Sequence, residues 1–399
     1  MTAVPPRQRL PLVQLADMLD CDPAPTEGQR AALRKISIYN VGYGSVARPM
    51  DDRLAEFGVE EFTLADPKRY RAESILSQCE SDEVGLCKVE AGLRRLGANA
   101  RIAAFPTDVF ELPDGLVGEN TIVVSSVDNR RADIGANRLA TRMRALFVKV
   151  NIETAYDYIA IRCYDFRTRP ALCAECQYSE RMYSQQRHPR SCDDGPQRQT
   201  GAPRWLSQTA GDAAALVIAQ LADEATAARW LGRQWQLSLS TGEAGFSELS
   251  PSPRCRWNHN NHWPHLLRRP GGPETVSLKD LLNEADMPGD SKTCVQFCQQ
   301  VATAACCESC LAHLNGVWWL SELRRPLGTC AKCGGVLLAV PYWMYRQIHA
   351  DGLASVIDRP LAEWGVPASA VIALVRGRRK RSYVIGNNQA NGFPNTNRG

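Results

Sequence analysis

Short apolar runs recur through the first part of the chain, separated by amphipathic stretches. Runs of this length, bounded by turn residues, predict buried strands, and the stretches between them predict helices. Strands that alternate with helices indicate an α/β fold, in which a mostly parallel sheet carries helices on both faces. The predicted strands are residues 36–41, 61–66, 100–105, 121–127, 146–151 and 158–163.

The pattern changes in the second half of the chain. A small-residue helix is predicted at Ala210–Leu221, after a polar loop at 177–206, and two late strands are predicted near 234–239 and 246–249. The Pro- and Gly-rich segment 264–273 is the best domain boundary. The predicted divisions are an N-terminal arm or short helical extension (1–30), a nucleotide-binding domain (31–265), a smaller C-terminal α+β module (275–385) and a disordered tail (386–399).

Length and composition narrow the class of protein. The 399 residues suggest two domains, and 44% hydrophobic with 23% charged residues is typical of a soluble globular protein. The net charge of +4 gives no indication of nucleic-acid or membrane binding. Because neither a signal peptide nor a long apolar window is evident, a cytoplasmic location is expected. In that compartment the 15 cysteines favour metal sites and reactive thiols over disulfides.

Residues 376–381 form the one dense basic run. It is either a solvated loop between two terminal strands or a docking patch for an acidic partner.

A glycine turn follows the first predicted strand. Gly42 and Gly44 precede a predicted helix that has Ala47 at its start, and Asp66 ends the next strand, 24 residues after Gly42. This layout predicts a Rossmann-like nucleotide-binding unit, in which the glycines let the backbone approach phosphate oxygens and the carboxylate accepts from ribose hydroxyls. The motif by itself leaves NAD, FAD and ATP open.

Residues 66–88 and 121–137 extend this motif and resemble the ThiF/MoeB and ubiquitin-activating superfamily. That family's pattern is roughly D-x-D, N-L-x-R-Q, G-x-x-K, T-D-N and a later asparagine. The spacing agrees across this run of motifs, and the resemblance covers roughly residues 30–265. The matching residues here are Asp66, Gln78, Gly85, Lys88, Asp128, Asn129 and Asn137.

The resemblance implies an enzyme that adenylates the C-terminal glycine of a small ubiquitin-like or sulfur-carrier protein, with ATP and Mg²⁺ as cofactors. It implies a homodimer and, for a conjugation pathway, a conjugating enzyme as a further partner. Carried over to this chain, Gly42, Gly44 and Asn129 would bind the nucleotide and Asp66 the ribose. Lys88 would bind the phosphates, and Asp128 would lie near Mg²⁺ and the α-phosphate.

The chain departs from the family at four polar positions. Ser74 and Ser77 stand where the family has an asparagine and an arginine, Lys68 stands at its second aspartate and Asp133 at a later arginine. Adenylation needs cations around the triphosphate. Nearby arginines could supply them, namely Arg69, Arg71, Arg130 and Arg131.

Two alternatives to an adenylating enzyme remain open. The losses at Ser74 and Ser77 favour a catalytically degenerate scaffold that binds the nucleotide only. The glycine motif also fits an NAD-dependent oxidoreductase, although that class leaves the matches at 78–88 and 121–137 unexplained.

A first zinc site is predicted around Cys173 and Cys176, a C-x-x-C pair that can present two thiolates to one ion. The family has such a pair at this point and completes it with a second pair after the late strands. Here only Cys255 follows, so His259 or His262 would be the fourth ligand.

A second zinc site is predicted in the C-terminal module. Cys307 with Cys310 and Cys330 with Cys333 form two C-x-x-C pairs with 19 residues between them, a spacing typical of a zinc ribbon that would dock a partner. The nearby Cys294 and Cys298 are expected to be core thiols on one helix face.

A candidate nucleophile lies in the polar loop. Cys192, in Cys-Asp-Asp-Gly, stands where family members carry a cysteine that attacks the acyl adenylate. Carried over, it would form a thioester, since a thiolate is a good nucleophile.

Overall fold

The computed structural model describes residues 10–98, 100–153, 158–167, 172–184, 202–238, 240–320 and 327–386. The chain divides into two compact units, of which the first comprises Met1–Val109 and Val117–His262. The second comprises Phe110–Leu116 and Trp263–Gly399. The predicted boundary segment 264–273 begins two residues after the end of the first unit.

The first unit is built on an eight-stranded sheet with the order β3-β2-β1-β4-β5-β6-β7-β8. Its first five strands are parallel, and β6, β7 and β8 join them in antiparallel fashion. The strands are β1 Ser37–Val41, β2 Glu61–Ala65, β3 Arg101–Phe105, β4 Thr121–Ser125, β5 Leu146–Glu153, β6 Tyr158–Asp165, β7 Arg233–Ser238 and β8 Ala244–Glu248. Each overlaps a predicted strand, so the predicted α/β class with a mostly parallel sheet is confirmed.

Helices cover both faces of this sheet. Successive side chains on a strand point to opposite sides, and here both sets are buried. Ile38 and Ile122 face a core cluster that includes α3 and α7, whereas Tyr39 and Val123 are buried on the other side, where α5 packs on β4, β1 and β5. The helices are α1 Leu12–Leu19, α2 Glu27–Leu33, α3 Ala47–Phe57, α4 Lys88–Leu96, α5 Arg130–Met143, α6 Glu180–Ser184, α7 Arg204–Ala222 and α8 Glu224–Ala227.

The described part of the predicted N-terminal arm is helical. Leu15, Ala16 and Leu19 of α1 are fully buried in the same cluster as α7. A capping box at Thr26, whose side chain accepts from Gln29 N, fixes the start of α2. These two helices are part of the core of the first unit.

The second unit is a mixed, mainly antiparallel assembly around one long strand. This strand, β10, pairs with β11, β13, β14 and β15, and β16 pairs with β9 in parallel. A capping box at Ser277 starts its helix. The elements are β9 Leu266–Arg269, α9 Leu278–Ala285, β10 Cys294–Cys307, β11 His313–Leu320, β12 Gly328–Thr329, β13 Val336–Ala339, β14 Met344–His349, β15 Val371–Arg376 and β16 Arg379–Ile385.

Residues 110–116, in the connection between β3 and β4, belong to the second unit. Gly115 N donates to Ser369 O at 3.0 Å, and Trp263 Nε1 donates to the buried Asp114 at 2.8 Å. A Cβ atom on Gly115 would lie 2.3 Å from Ser369 O, so only glycine fits this approach.

The prediction that Cys294 and Cys298 lie on a helix is wrong, because both are on β10. The pairing register of β10 shifts between Ala302 and Ala304, and also between Gln296 and Val301. Such bulges break the period of two that identifies a strand. Cys298 is a core thiol, whereas Cys294 is half-buried.

The basic run is mostly part of strands β15 and β16, and only Gly377 and Arg378 form the turn. Arg379 Nη2 donates to Ala285 O at 2.9 Å and Arg381 Nη1 to Glu284 O at 3.3 Å, at the C-terminal end of α9. Guanidinium groups are favourable there because a helix ends in unpaired carbonyls. These arginines therefore hold α9 on the hairpin.

Among the described residues, no helix combines the length and apolar character needed to cross a bilayer.

Candidate functional site

The predicted nucleotide residues lie at the carboxyl ends of three neighbouring parallel strands. Gly42 follows β1, Asp66 follows β2, and Asp128 lies three residues after β4. β1 stands between β2 and β4, and the chain reverses its direction of winding there. In open α/β sheets this switch point forms the crevice in which ligands bind.

The glycine turn leaves no room for a side chain. Gly42 has φ +84°, which favours glycine, and a Cβ atom there would lie 2.4 Å from Cγ1 of Val127. The turn after β1 therefore contacts the loop after β4 directly, one residue before Asp128.

Asp66 is buried, with 6% of its surface exposed, and it anchors this turn. One of its carboxylate oxygens accepts from Tyr43 N and the other from Lys68 N, each at 2.8 Å. A carboxylate oxygen can accept a second hydrogen bond, so Asp66 can fix the turn and still receive a ribose hydroxyl.

Asp128 and Asn129 have different surroundings at the end of β4. Asp128 lies 3.9 Å from the ammonium group of Lys68 and is partly exposed. Asn129 is the N-cap of α5, and its side-chain oxygen accepts from Ala132 N at 2.8 Å. Asn129 thus fixes where the helix begins, which sets the position of Asp128 beside it.

Lys88 is hydrogen-bonded to Gln78, whose side chain lies beside the glycine turn. Its Nζ donates to Oε1 of Gln78 at 2.8 Å, and the same oxygen lies 3.8 Å from where a Cβ atom on Gly44 would be. Lys88 is buried and lies 5.6 Å from the ring centre of Tyr70. A phosphate bound at the turn would therefore lie close to the ammonium group of Lys88.

Arg48 is a cation near the turn that the sequence analysis missed. It lies in the first turn of α3, donates to Gln78 O at 3.2 Å and pairs with Glu83. Burial opposes its charge, but its interactions with Glu83 and Tyr70 together outweigh this effect and raise the pKa of Arg48. Its position four residues after Gly44, where such a helix meets phosphate, is a signal that could have identified it.

The arginines proposed to replace the family's missing phosphate-binding cations contact other protein groups. Arg69 donates to Gly85 O at 3.0 Å, and Arg71 lies 4.0 Å from Glu73. Arg130 pairs with Asp133 at 3.0 Å at the start of α5.

The first predicted metal site is assembled, and His259 supplies the imidazole. Its Nε2 lies 3.3 Å from the sulfur of Cys173, 3.4 Å from that of Cys176 and 3.2 Å from that of Cys255. Zinc–sulfur bonds of about 2.3 Å give a tetrahedron with edges of about 3.8 Å, so the donors fit a tetrahedral ion. His262 instead lies 2.6 Å from Arg144.

The second predicted metal site is also assembled, from two knuckles at strand ends. Cys307 and Cys310 connect β10 to β11, and Cys330 and Cys333 connect β12 to β13. Their ligand atoms lie within 4.8 Å of one another, with a sulfur–sulfur distance of 3.5 Å between Cys307 and Cys333. This set of four thiols fits Zn²⁺ equally well.

One thiol in each cluster ionises readily. A hydrogen bond from Cys173 lowers the pKa of Cys176 to about 5, and a hydrogen bond from Cys310 N lowers the pKa of Cys307 to about 6. Because the thiolate is the form that ligates a metal, each cluster offers one ligand in that form at neutral pH.

The candidate nucleophile Cys192 lies outside the residues that the structure describes.

No family model and no curated protein matches the chain. Among solved structures, the chain is similar to E. coli MccB with ATP (17% identity over 57% of this chain and 68% of that chain, TM-score 0.46). It is also similar to the microcin C7 biosynthetic enzyme MccB in complex with N-formylated MccA (16%, 57% and 69%, TM-score 0.44). A third is PaaA (18%, 60% and 71%, TM-score 0.43). Similarity at this level does not assign the chain to a family.

Proposed function

We propose that the protein is an ATP-dependent adenylyltransferase that activates the C-terminal carboxylate of a small ubiquitin-like or sulfur-carrier protein. The observation that carries the proposal is the crevice at the switch point between β1 and β4. It combines a glycine turn, a helix N-terminus and a buried carboxylate with two cations, Arg48 and Lys88. An anionic nucleotide fits this combination.

Each group has a defined part in this reaction. The amides at the start of α3 and the side chains of Lys88 and Arg48 bind the phosphates, and Asp66 orients the ribose. Asp128 would hold Mg²⁺, which neutralises phosphate charge when bound. The carrier's carboxylate oxygen attacks the α-phosphorus in line, the bond to the bridging oxygen breaks, and pyrophosphate leaves. Catalysis is then mainly positioning and charge stabilisation.

Later steps are proposed from the resemblance alone. The thiolate of Cys192 attacks the acyl carbon, AMP leaves, and a thioester passes the carrier to a conjugating enzyme. The C-terminal module docks that partner, and two copies of the chain form a homodimer.

The test is ATP–pyrophosphate exchange with small carrier proteins that end in glycine. We expect exchange with wild type and with Cys192→Ala, and none with Asp128→Ala. Asp165→Ala is the matched control, because Asp165 pairs with Arg167 at the end of β6 and should leave exchange unchanged.

Two other outcomes would reject the proposal. ATP binding without exchange for any carrier would support the scaffold, which the serines at positions 74 and 77 favour. Binding of a nicotinamide dinucleotide in place of ATP would support the oxidoreductase.

A further inference from the structure

The knuckle of the first metal cluster is fastened to helix α5 by a buried carboxylate. Glu175 lies between the two knuckle cysteines and is 0% exposed. It accepts from Nε and Nη2 of Arg138 at 2.8 and 2.9 Å and from Asn137 Nδ2 at 3.2 Å. Asn137 Oδ1 in turn accepts from Ala174 N at 3.0 Å. A buried carboxylate with this many partners holds its segment in one place.

The segment that supplies the other two ligands covers this attachment. Trp257, between Cys255 and His259, lies 4.8 Å from the guanidinium of Arg138. Arg256 stacks on Tyr183 at 4.4 Å, and the hydroxyl of Tyr183 donates to Glu175 at 3.1 Å. A metal ion that ties Cys255 and His259 to the knuckle would therefore keep water away from the Glu175 contacts.

Two residues after the knuckle, Tyr178 reaches the first turn of α5. Its hydroxyl donates to Asp133 and accepts from the buried Lys149 of β5 at 2.9 Å. Arg130, the first residue of α5, stacks on the Tyr178 ring at 4.6 Å. Tyr178 thus contacts the group that begins the helix.

Asp133 connects this group to the end of β4. Its carboxylate accepts from the hydroxyl of Ser125, the last residue of β4, at 3.0 Å and pairs with Lys149. Ser125 and Arg130 enclose the loop that carries Asp128 and the N-cap Asn129. The position of that loop therefore depends on where Tyr178 holds the start of α5.

We propose that a metal ion in the first cluster positions the start of α5 through Tyr178, so that metal occupancy strengthens nucleotide binding at the crevice. Tyr178 is a positioning residue, because it acts on Asp128 through Asp133 and Arg130. The inference rests on the proposed nucleotide site. Since coupling between two sites is reciprocal, a bound nucleotide also slows release of this metal ion.

The first experiment measures the affinity of the full chain for a non-hydrolysable ATP analogue, with zinc bound and after its removal by a chelator. We expect roughly tenfold weaker binding without zinc, within the usual range of such couplings. Cys330→Ser, which disrupts only the second cluster, is the control and should leave the affinity unchanged. Equal affinities with and without zinc would overturn the inference and leave the nucleotide site intact. Failure of the zinc-loaded protein to bind the analogue would overturn the proposed function itself.

The second experiment keeps zinc in place and therefore does not depend on the stability of the metal-free protein. In Tyr178→Phe we expect full zinc content, weaker analogue binding and zinc release that the analogue no longer slows. Tyr164→Phe is the matched control, because the buried hydroxyl of Tyr164 has no hydrogen-bond partner among the described residues. A Tyr178→Phe protein in which the analogue slows zinc release as in wild type would contradict the inference, since a merely structural tyrosine would not affect that release.

Discussion

At the scale of single residues, Gly42 combines a left-handed conformation with close contact to Val127. We expect Gly42→Ala to weaken binding of an ATP analogue at least tenfold, about 1.4 kcal/mol, because the added methyl group displaces the loop next to Asp128. Calorimetric titration measures this change.

Gly85→Ala is the matched control for this substitution. Gly85 has φ +89° but no atom within 4 Å of its Cβ position. Gly85→Ala should lower the free energy of unfolding by about 1–3 kcal/mol through backbone strain, and it should leave the affinity for the ATP analogue unchanged. Equal losses of affinity in the two variants would show that strain, and not the contact with Val127, matters.

Asp51 is a buried acid whose charge the fold disfavours. Burial raises its pKa to about 8, although both carboxylate oxygens accept from Asn40 Nδ2. The folded pKa lies above that of the unfolded chain, so its contribution to stability is complete below about pH 4 and is lost as the pH rises through 8.

Asp51→Asn removes this titration. We expect its free energy of unfolding to exceed that of wild type by about 1 kcal/mol or more at pH 8 and to be similar near pH 4. Urea denaturation at several pH values measures the difference. Asp17→Asn, at an exposed position on α1, should show no such trend. A difference that does not vary with pH would contradict the assignment.

The sequence predicts the residues of the site that lie in local motifs. Gly42, Asp66, Lys88 and Asp128 follow strand ends or begin a helix at recognisable spacings. Arg48 and Tyr178 were missed, because their roles depend on their partners from distant segments, Glu83 and Asp133. Spacing alone also left His259 and His262 open, and the fold brings His259 to the cluster.

At the scale of elements, central strands of the first unit such as β1 and β4 were predictable because each is a nearly continuous buried run. β10 was not, although it has more partners than any other described strand. Its bulges place Cys298, Val301, Ala302 and Ala305 among its buried residues, at spacings that imitate a helix. Pairing with four other strands, which only the complete fold supplies, decides its conformation.

The first metal cluster brings Cys255 and His259, in the segment after β8, next to the Cys173–Cys176 knuckle that precedes α6. We expect His259→Ala to lose about one equivalent of zinc per chain and to unfold at a lower temperature, because three thiolates leave a tetrahedral ion short of one ligand. Elemental analysis and thermal denaturation measure both effects. His262→Ala is the control and should retain its zinc, because His262 contacts Arg144. Loss of zinc in His262→Ala but not in His259→Ala would identify His262 as the ligand.

At the scale of the whole molecule, the second unit is discontinuous in sequence, which no local pattern indicated. Its first segment, residues 110–116, is fixed by the Gly115 and Asp114 contacts. We expect Gly115→Ala to destabilise the second unit by about 1–3 kcal/mol, because a Cβ atom there overlaps Ser369 O. Hydrogen exchange of the amides in β15 and β16 measures this loss.

Gly272→Ala is the control for this substitution. The atom nearest to its Cβ position is the flexible end of the Glu274 side chain, which can move away. Similar exchange rates in the two variants would show that the contact with Ser369 is unimportant.

The discontinuity of the second unit also affects how the protein can be made and cut. The ribosome produces residues 110–116 long before residue 369, so this segment waits roughly 10–50 seconds for its partner at ordinary elongation rates of about 5–20 residues per second. No single cleavage separates the units intact, because a cut after residue 262 leaves residues 110–116 with the wrong fragment. A gene that encodes the second unit alone would therefore need this short segment joined back to it, and a nascent chain that stalls before residue 369 exposes it to chaperones.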